Sequence, residues 1–415
     1  GIRTPDRPLP DLDETQRAVV DAFRDADAGL FTMDSHPGAG KSTATGKAAA
    51  LCLYERLLAG DPVPERRLLV TSFSKEDAAD IVPDVVDWLW ELYDRDAIPG
   101  DGDVTAAEVR QLERRLRGVA TVGTVDGVLR SVLEAFAPEV GFDEMPAVGN
   151  EALLARLHED CYAALAADPG HADRVEALED AYPESGPHVD GPQALLRTAL
   201  RTCRQRRLSV GAFHRELRAT VADVYEGGDP GTVECLRESV ARCRGRETAD
   251  RVADLDADDR EALLAADRRL HDAWRATVDD FCTLLAAYRE RYDDLTRERG
   301  VIAHVDCAHL VAEYFAGTIG GEARGGQADG REDGDGDGRA ARRERVRARF
   351  HEEIESVVVD EAQDVSTVQH AALSALVTDE MRVLLVGDLK QCVYVWRDAR
   401  PALFERAVRD GAYFG

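Results

Sequence analysis

Lysine is nearly missing from this 415-residue chain. It stands only at Lys41, Lys47, Lys75 and Lys390, and the other 48 of the 52 basic residues are arginine. Large aromatics are scarce too, at 6% of residues, and methionine occurs three times. Positive charge is outweighed by 80 acidic residues, for a formal net charge of −28. That balance is the reverse of the basic stripe by which proteins usually grip nucleic acid. A salt-rich cytoplasm accounts for it better, with an acidic surface, little lysine, few large aromatics and many alanines and aspartates. At molar salt, counterion release contributes little to holding a polyanion. Contact with one would then rest on stacking, worth about 1–3 kcal/mol per base. No stretch reads as a secretory leader or as an apolar run long enough to cross a bilayer. None of the eight cysteines pairs as Cys-x-x-Cys, which argues against a zinc ribbon and for reduced, scattered thiols in a cytoplasmic protein.

What is present concentrates in three short stretches. Ser35-His36-Pro37-Gly38-Ala39-Gly40-Lys41-Ser42 follows the apolar run Gly29–Met33 and precedes a helical run from near Thr43. Strand, glycine-rich turn and helix N-terminus together make a phosphate-binding loop. Gly38 and Gly40 let backbone N–H groups approach phosphates, with Pro37, Ala39 and Thr43 completing the loop. Lys41 would reach β- and γ-phosphates, and the Ser42 hydroxyl would ligate Mg²⁺. The strict pattern asks for glycine where Ser35 stands. Second, the β-branched run Val357-Val358-Val359 ends in Asp360-Glu361, as suits a central parallel strand opening on a site. Asp360 would hold the water shell of Mg²⁺, and Glu361 would orient or deprotonate an attacking water. Third, Val383–Val386 leads into Gly387-Asp388-Leu389-Lys390-Gln391, with Tyr394 and Trp396 beyond. Gln391 could meet a phosphate there, and the two aromatics could offer faces to an unpaired base. The few lysines fall chiefly beside these stretches, which a mere preference for arginine does not explain.

In these residues the chain resembles superfamily 1 helicases of the UvrD/Rep kind. Leu12-Asp13-Glu14-Thr15-Gln16-Arg17 is similar to the family's Q motif, which implies that Gln16 reads an adenine edge. Leu68 to Lys75 resembles motif Ia, with Phe73 as a DNA contact, and Gly123-Thr124-Val125-Asp126-Gly127 resembles motif Ib, with Thr124 as another. The family usually has Phe-His where Val125-Asp126 stand. Phe73 fits ordinary core packing as readily as stacking. Val305 to Leu310 keeps the framing apolar positions and the first acidic residue of a further segment. Asp360 to Asp364 corresponds to motif II and Gly387 to Arg397 to motif III. There, Lys390-Gln391 leans toward the RecB/AddA branch, while Tyr394 and Trp396 suit UvrD. The resemblance implies an ATP- and Mg²⁺-dependent helicase or translocase on single-stranded DNA, moving 3′ to 5′ in repair or recombination. It also implies a second RecA-like domain with motifs IV to VI, whose arginines do not follow motif III here. The expectation is an N-terminal motor half, weakly active alone, completed by the rest of the chain or another polypeptide. Two alternatives stand beside it: a RecB/AddA-type helicase–nuclease subunit, and a nucleotide-gated single-strand-binding module.

The expected fold is α/β, a RecA-like parallel sheet flanked by helices and interrupted by a large all-helical insertion. Residues 1–148 carry the first part, 149–298 the insertion, 299–316 the return, 317–340 a Gly/Asp-rich disordered loop and 341–415 the second part. Within the insertion, Leu270, Trp274, Val278, Phe281, Leu285, Tyr288, Tyr292 and Leu295 form one helical stripe, expected as core. Arg201, Arg204, Arg206 and Arg207 are either a DNA-backbone contact or a solvated face. Asp333, Asp335, Asp337, Gly338 and Glu344 satisfy a calcium-loop pattern, but no apolar helix precedes them and arginines crowd the loop, so calcium is not expected.

The charge balance predicts salt-dependent folding. Raising ionic strength from about 0.1 M to about 1 M shortens the screening length from roughly 10 Å to 3 Å. The melting temperature followed by circular dichroism is expected to climb steadily with KCl over that range; a flat or falling curve would remove the salt-adapted reading.

Overall fold

The structure is a computed structural model and describes residues 11–35, 40–73, 75–95, 103–118, 122–181, 191–224, 231–252, 254–319, 335–390 and 400–413. The chain divides into two compact units, residues 1–148 with 302–415, and residues 149–301.

The first unit is built on a five-stranded sheet. Its order from one edge to the other is Gly29–Asp34, Arg382–Gly387, Ser356–Val359, Leu68–Ser72 and Val122–Thr124, with every described pairing parallel. The three central strands are buried along their whole length, which is why they read as unbroken apolar runs rather than alternating ones. Successive residues still point to opposite faces. Leu69, Val357, Val359, Val383 and Leu385 enter one core, and Leu68, Val70, Val358, Leu384 and Val386 enter the other.

Helices cover both faces. Against the second core lie α1 (Glu14–Asp25), α2 (Lys41–Leu58), α3 (Lys75–Arg95) and α4 (Ala106–Leu116), while α5 (Val125–Glu134) packs on the first. The register sets Asp34 beside Gly387 and Thr71 beside Val359. The chain leaves these strands at one common end, where open α/β sheets bind ligands.

In the second unit, α6 (Glu151–Ala167), α7 (Ala172–Ala181), α8 (Pro192–Gln205), α9 (Val210–Val224), α10 (Val233–Arg244) and α11 (Arg246–Asp250) precede the 43-residue α12 (Ala257–Arg299). The α12 stripe is core only toward its C-terminal end. Leu285, Tyr288, Tyr292 and Leu295 are buried, whereas Leu270 and Trp274 are 51% and 42% exposed. Periodicity marks an apolar face but not how far along the helix it finds a partner. Of the arginine group, Arg204 is buried, paired with Asp293 and stacked over Tyr292 at 4.8 Å, and Arg206 pairs with Glu216 at 3.0 Å. Arg204 thus ties α8 to α12, and Arg206 ties the end of α8 to α9.

The chain returns to the first unit through α13 (His304–Ala316), α14 (Asp335–Glu353), α15 (Thr367–Ser374) and α16 (Pro401–Asp410). Helix α14 begins at Asp335, inside the segment expected as loop through residue 340. From Arg339 onward the sequence is rich in alanine, arginine and glutamate, strong helix formers that propagate the helix. Residues 335–344 lie in this helix, and Asp333 lies outside the described residues.

Helices α2 and α3 meet closely at Gly46, where an added Cβ would come within 2.9 Å of the Asp84 Cβ. Gly46→Val should therefore cost about 1–3 kcal/mol by overpacking. Urea unfolding followed by tryptophan fluorescence would report it, since Trp88 and Trp90 lie on α3; an unchanged midpoint would mean that the two helices separate freely.

Candidate active site

At the strand ends the polar side chains converge. Gly40 caps α2 with φ 79° and ψ 33°, and no side chain caps the helix. Only glycine adopts that left-handed conformation without strain. The first-turn N–H groups of α2 therefore have no side-chain partner at the cap, and they sit at the positive end of an 18-residue helix. Lys41 opens α2, is 9% exposed, and places its Nζ 3.2 Å from Glu361 Oε2. Ser42 is exposed and Thr43 half-buried on the same turn. Pro37, Gly38 and Ala39 lie outside the described residues.

Asp360 and Glu361 leave the Ser356–Val359 strand. The Asp360 N–H donates to the Thr71 carbonyl at 2.8 Å, continuing the sheet ladder by one bond. The buried Asp360 Oδ1 accepts from the Glu361 N–H at 3.0 Å. Glu361 itself has φ 51° and ψ 42°, a left-handed backbone that costs a non-glycine residue about 1–2 kcal/mol. This turn brings its carboxylate to Lys41, 320 positions away in sequence. Strain held at a strand end beside a buried cation is a common mark of a functional site.

Gln363, to which no sequence motif gave a role, is 1% exposed and sits at the centre of the network. Its Nε2 donates to Glu361 Oε2 at 2.6 Å and to Asp364 Oδ2 at 3.2 Å, while its Oε1 accepts from the Asp388 N–H at 2.9 Å. Asp388 Oδ1 accepts from the Lys390 N–H at 2.9 Å, and Asp34 Oδ1 accepts from the Leu389 N–H at 3.2 Å. The signal that could have flagged Gln363 is a long polar residue beside Ala362, in a turn that closes on a buried strand. Gln391, Tyr394 and Trp396, which follow this turn, lie outside the described residues.

Gln16 is buried at the start of α1, in a reciprocal cap with Asp13. Its Nε2 lies 3.5 Å from Ser35 Oγ, so the hydroxyl at the irregular loop position meets the Q-motif amide. Phe73 is half-buried at the end of the Leu68–Ser72 strand. Thr124 caps α5, its hydroxyl accepting from the Gly127 N–H at 3.0 Å. Asp126, at the unusual motif Ib position, accepts from Gln369 Nε2 at 2.9 Å, and His304 Nδ1 lies 3.9 Å from it.

The donor set fits a magnesium nucleotide. Lys41 pairs with Glu361 in a network that also includes Asp34, Asp360, Asp364 and Asp388, so a bare polyphosphate would meet excess negative charge unless a divalent ion came with it. Among the described residues the buried atoms Thr45 Oγ1, Thr71 Oγ1, Ser72 Oγ and Asp388 Oδ2 have no hydrogen-bond partner. Such leftover polar capacity at one end of a sheet is what a polar ligand uses.

A parallel sheet with a glycine-capped helix and a lysine facing a strand-end carboxylate is the arrangement of P-loop nucleotide-binding proteins with a RecA-like core. More narrowly, the family described as UvrD/REP helicase N-terminal domain matches residues 28–411, and the chain belongs to that family. It is similar to the ATP-dependent DNA helicase Rep of Escherichia coli (strain K12), 43% identical over 60 residues, which are 14% of this chain and 9% of Rep. It is also similar to an ATP-dependent helicase/nuclease subunit of Clostridium perfringens (strain SM101 / Type A), 29% identical over 124 residues, 29% of this chain and 8% of that protein. The matched stretches thus span less than a tenth of either relative.

The Lys41–Glu361 pair predicts a chemical footprint. Glu361→Ala removes the partner that holds the amine, so acylation of Lys41 by an N-hydroxysuccinimide ester should rise severalfold in a peptide map. Lys47, on the same helix with its amine 4.9 Å from the Trp88 ring centre, serves as the reference. Equal Lys41 labelling in both proteins would mean that the pair does not form in solution.

Proposed function

We propose that this chain is the nucleotide-binding motor half of an ATP-dependent DNA helicase or translocase acting on single-stranded DNA. The observation that carries the reading is the Lys41–Glu361 pair at the strand ends of a chain in the UvrD/Rep family. Lys41 turns from Glu361 to the β- and γ-phosphates of ATP, assisted by the first-turn N–H groups of α2. Glu361, released from the lysine, orients the attacking water and takes up its proton. Ser42 and Asp360 would hold Mg²⁺, which would supply charge neutralisation at the phosphates. Gln16 serves the adenine side, and its contact with Ser35 ties that side to the phosphate loop.

Beyond the nucleotide, we assign Gln391 to sensing the γ-phosphate and Phe73, Thr124, Tyr394 and Trp396 to the single strand. Movement from 3′ to 5′, a part in repair or recombination and a cytoplasmic location belong to the same proposal. Cys52, Cys161, Cys203, Cys235, Cys282 and Cys307 are buried and form no disulfide, which suits a reducing compartment. Arginines from a second RecA-like lobe would complete the site, a contribution of about 10³–10⁵ in rate in related phosphoryl transfers. A helicase–nuclease subunit is the second reading, favoured by the relatives of that name and by Lys390-Gln391.

Two substitutions test the assignment. Lys41→Ala should abolish tight ATP binding, and an unchanged affinity would take Lys41 out of its role. Glu361→Gln should keep ATP bound yet slow turnover by about 10²-fold or more, the usual worth of a general base. The first is read by equilibrium ATP binding, the second by ATP binding together with turnover in molar-range KCl with and without single-stranded DNA. Normal turnover by the glutamine variant would exclude Glu361 as the water-orienting group.

A further inference from the structure

We propose that Gln363 is a positioning residue that joins the carboxylate of Glu361 to the Gly387–Lys390 turn, so that nucleotide state and grip on a single strand change together. This rests on the nucleotide-site reading above and adds to it the route by which the two ends communicate.

The carboxamide is committed in both directions. It offers two N–H donors and one carbonyl acceptor, and the donors go to Glu361 Oε2 and Asp364 Oδ2 while the acceptor takes the Asp388 N–H. These partners also decide which way the amide faces. Carboxylates can only accept and a backbone N–H can only donate, so flipping the group would break its bonds at both ends.

The oxygen that Gln363 holds on Glu361 is the one that Lys41 also holds. When Lys41 turns to a phosphate, the Gln363 bond is what keeps that carboxylate in place. Conversely, a Glu361 that moves with the state of the nucleotide carries the amide with it.

The other end has no slack. A Cβ at Gly387 would stand 2.6 Å from Gln363 Oε1 and 2.7 Å from Phe404 Cε1, so the strand end and the amide are in direct contact only because residue 387 has no side chain. Asp388 is fully buried and passes the link on through its Oδ1 to the Lys390 N–H, immediately before Gln391. Gln363 therefore acts through Glu361 on one side and through the turn on the other, without touching a ligand itself.

The test is Gln363→Met, which keeps the length of the side chain and removes both polar ends. In the 415-residue chain, affinity for oligo(dT) is measured without nucleotide and with a non-hydrolysable ATP analogue, alongside analogue affinity, kcat and KM for ATP. In the unsubstituted chain the two oligo(dT) affinities should differ by about fivefold or more, the lower range of ordinary coupling between sites. In the variant that ratio should collapse toward one and kcat should fall, with analogue affinity and KM for ATP unchanged.

A merely structural role would lower thermal stability and active fraction but leave the ratio intact, and a retained ratio overturns the proposal. If the unsubstituted chain binds no analogue, the nucleotide-site reading itself fails. If it binds analogue and oligo(dT) with equal oligo(dT) affinities, only the coupling fails. Should the methionine variant not fold, Gln363→Glu keeps the acceptor toward Asp388 and removes the donors toward Glu361. It is expected to show the same collapse, and a retained ratio there is equally decisive against the idea.

Discussion

The contact between Lys41 and Glu361 is the constraint on which the rest of this unit turns. It joins the first turn of a helix that starts at residue 41 to the end of a strand that finishes at residue 359, at 3.2 Å and largely out of water. For that to happen the Gly29–Asp34 and Ser356–Val359 strands must run parallel on either side of the Arg382–Gly387 strand, in the register that sets Val359 level with Thr32 across Leu385, two residues short of Asp34. The sheet order, the buried apolar runs and the helices on both faces are what bring one amine and one carboxylate together. Glu361 departs from the easy backbone region to complete the contact. The pair also sets the electrical state of the site, since it holds a lysine among several carboxylates.

Much of this was readable from sequence, for definite physical reasons. A central parallel strand is buried on both sides, so Val357–Val359 and Val383–Val386 stand out as continuous apolar runs. A phosphate loop needs glycine at a fixed step from lysine, and Gly40 adopts the left-handed conformation that such a step demands. The helical insertion showed itself by period alone. What was hidden depends on partners far away in the chain. Gln363 reads as one more polar residue in an acidic turn until Asp388, 25 positions later, is seen to donate to it. Arg204 reads as part of a basic patch until Asp293 and Tyr292 are found against it. The stripe on α12 gives no sign in its spacing that Leu270 and Trp274 face solvent while Tyr288 does not.

The acidic surface and the site make opposite demands. On the proposed reading, a chain with a net charge of −28 would gain from taking its nucleotide as the magnesium complex, and from keeping its few lysines where a compact point charge is useful. Arginine serves elsewhere as a structural clamp. Arg382, the first residue of its strand, is buried, donates to Ser356 Oγ and the Arg24 carbonyl, and lies 5.6 Å from the centre of the Phe23 ring. The planar fork satisfies several acceptors at once, which an ammonium group could not do with the same geometry.

The two-sided burial of the central strands has a consequence for alignment. A strand with apolar residues on one face only is held in register because a slip of one residue would turn its greasy side outward. In the Arg382–Gly387 strand a slip would merely exchange Val383 and Leu385 for Leu384 and Val386, one set of aliphatic side chains for another of similar size. Greasiness alone therefore chooses weakly between the two alignments. The choice falls to polar hooks at both ends of the strand, Arg382 on Ser356 and the Arg24 carbonyl at its start, and past its end the Leu389 N–H on Asp34 and the Asp388 N–H on Gln363. The chemistry-bearing end thus acts as one ratchet pawl of the sheet, and a weakened hook would surface first as sliding between neighbouring strands rather than as loss of the core.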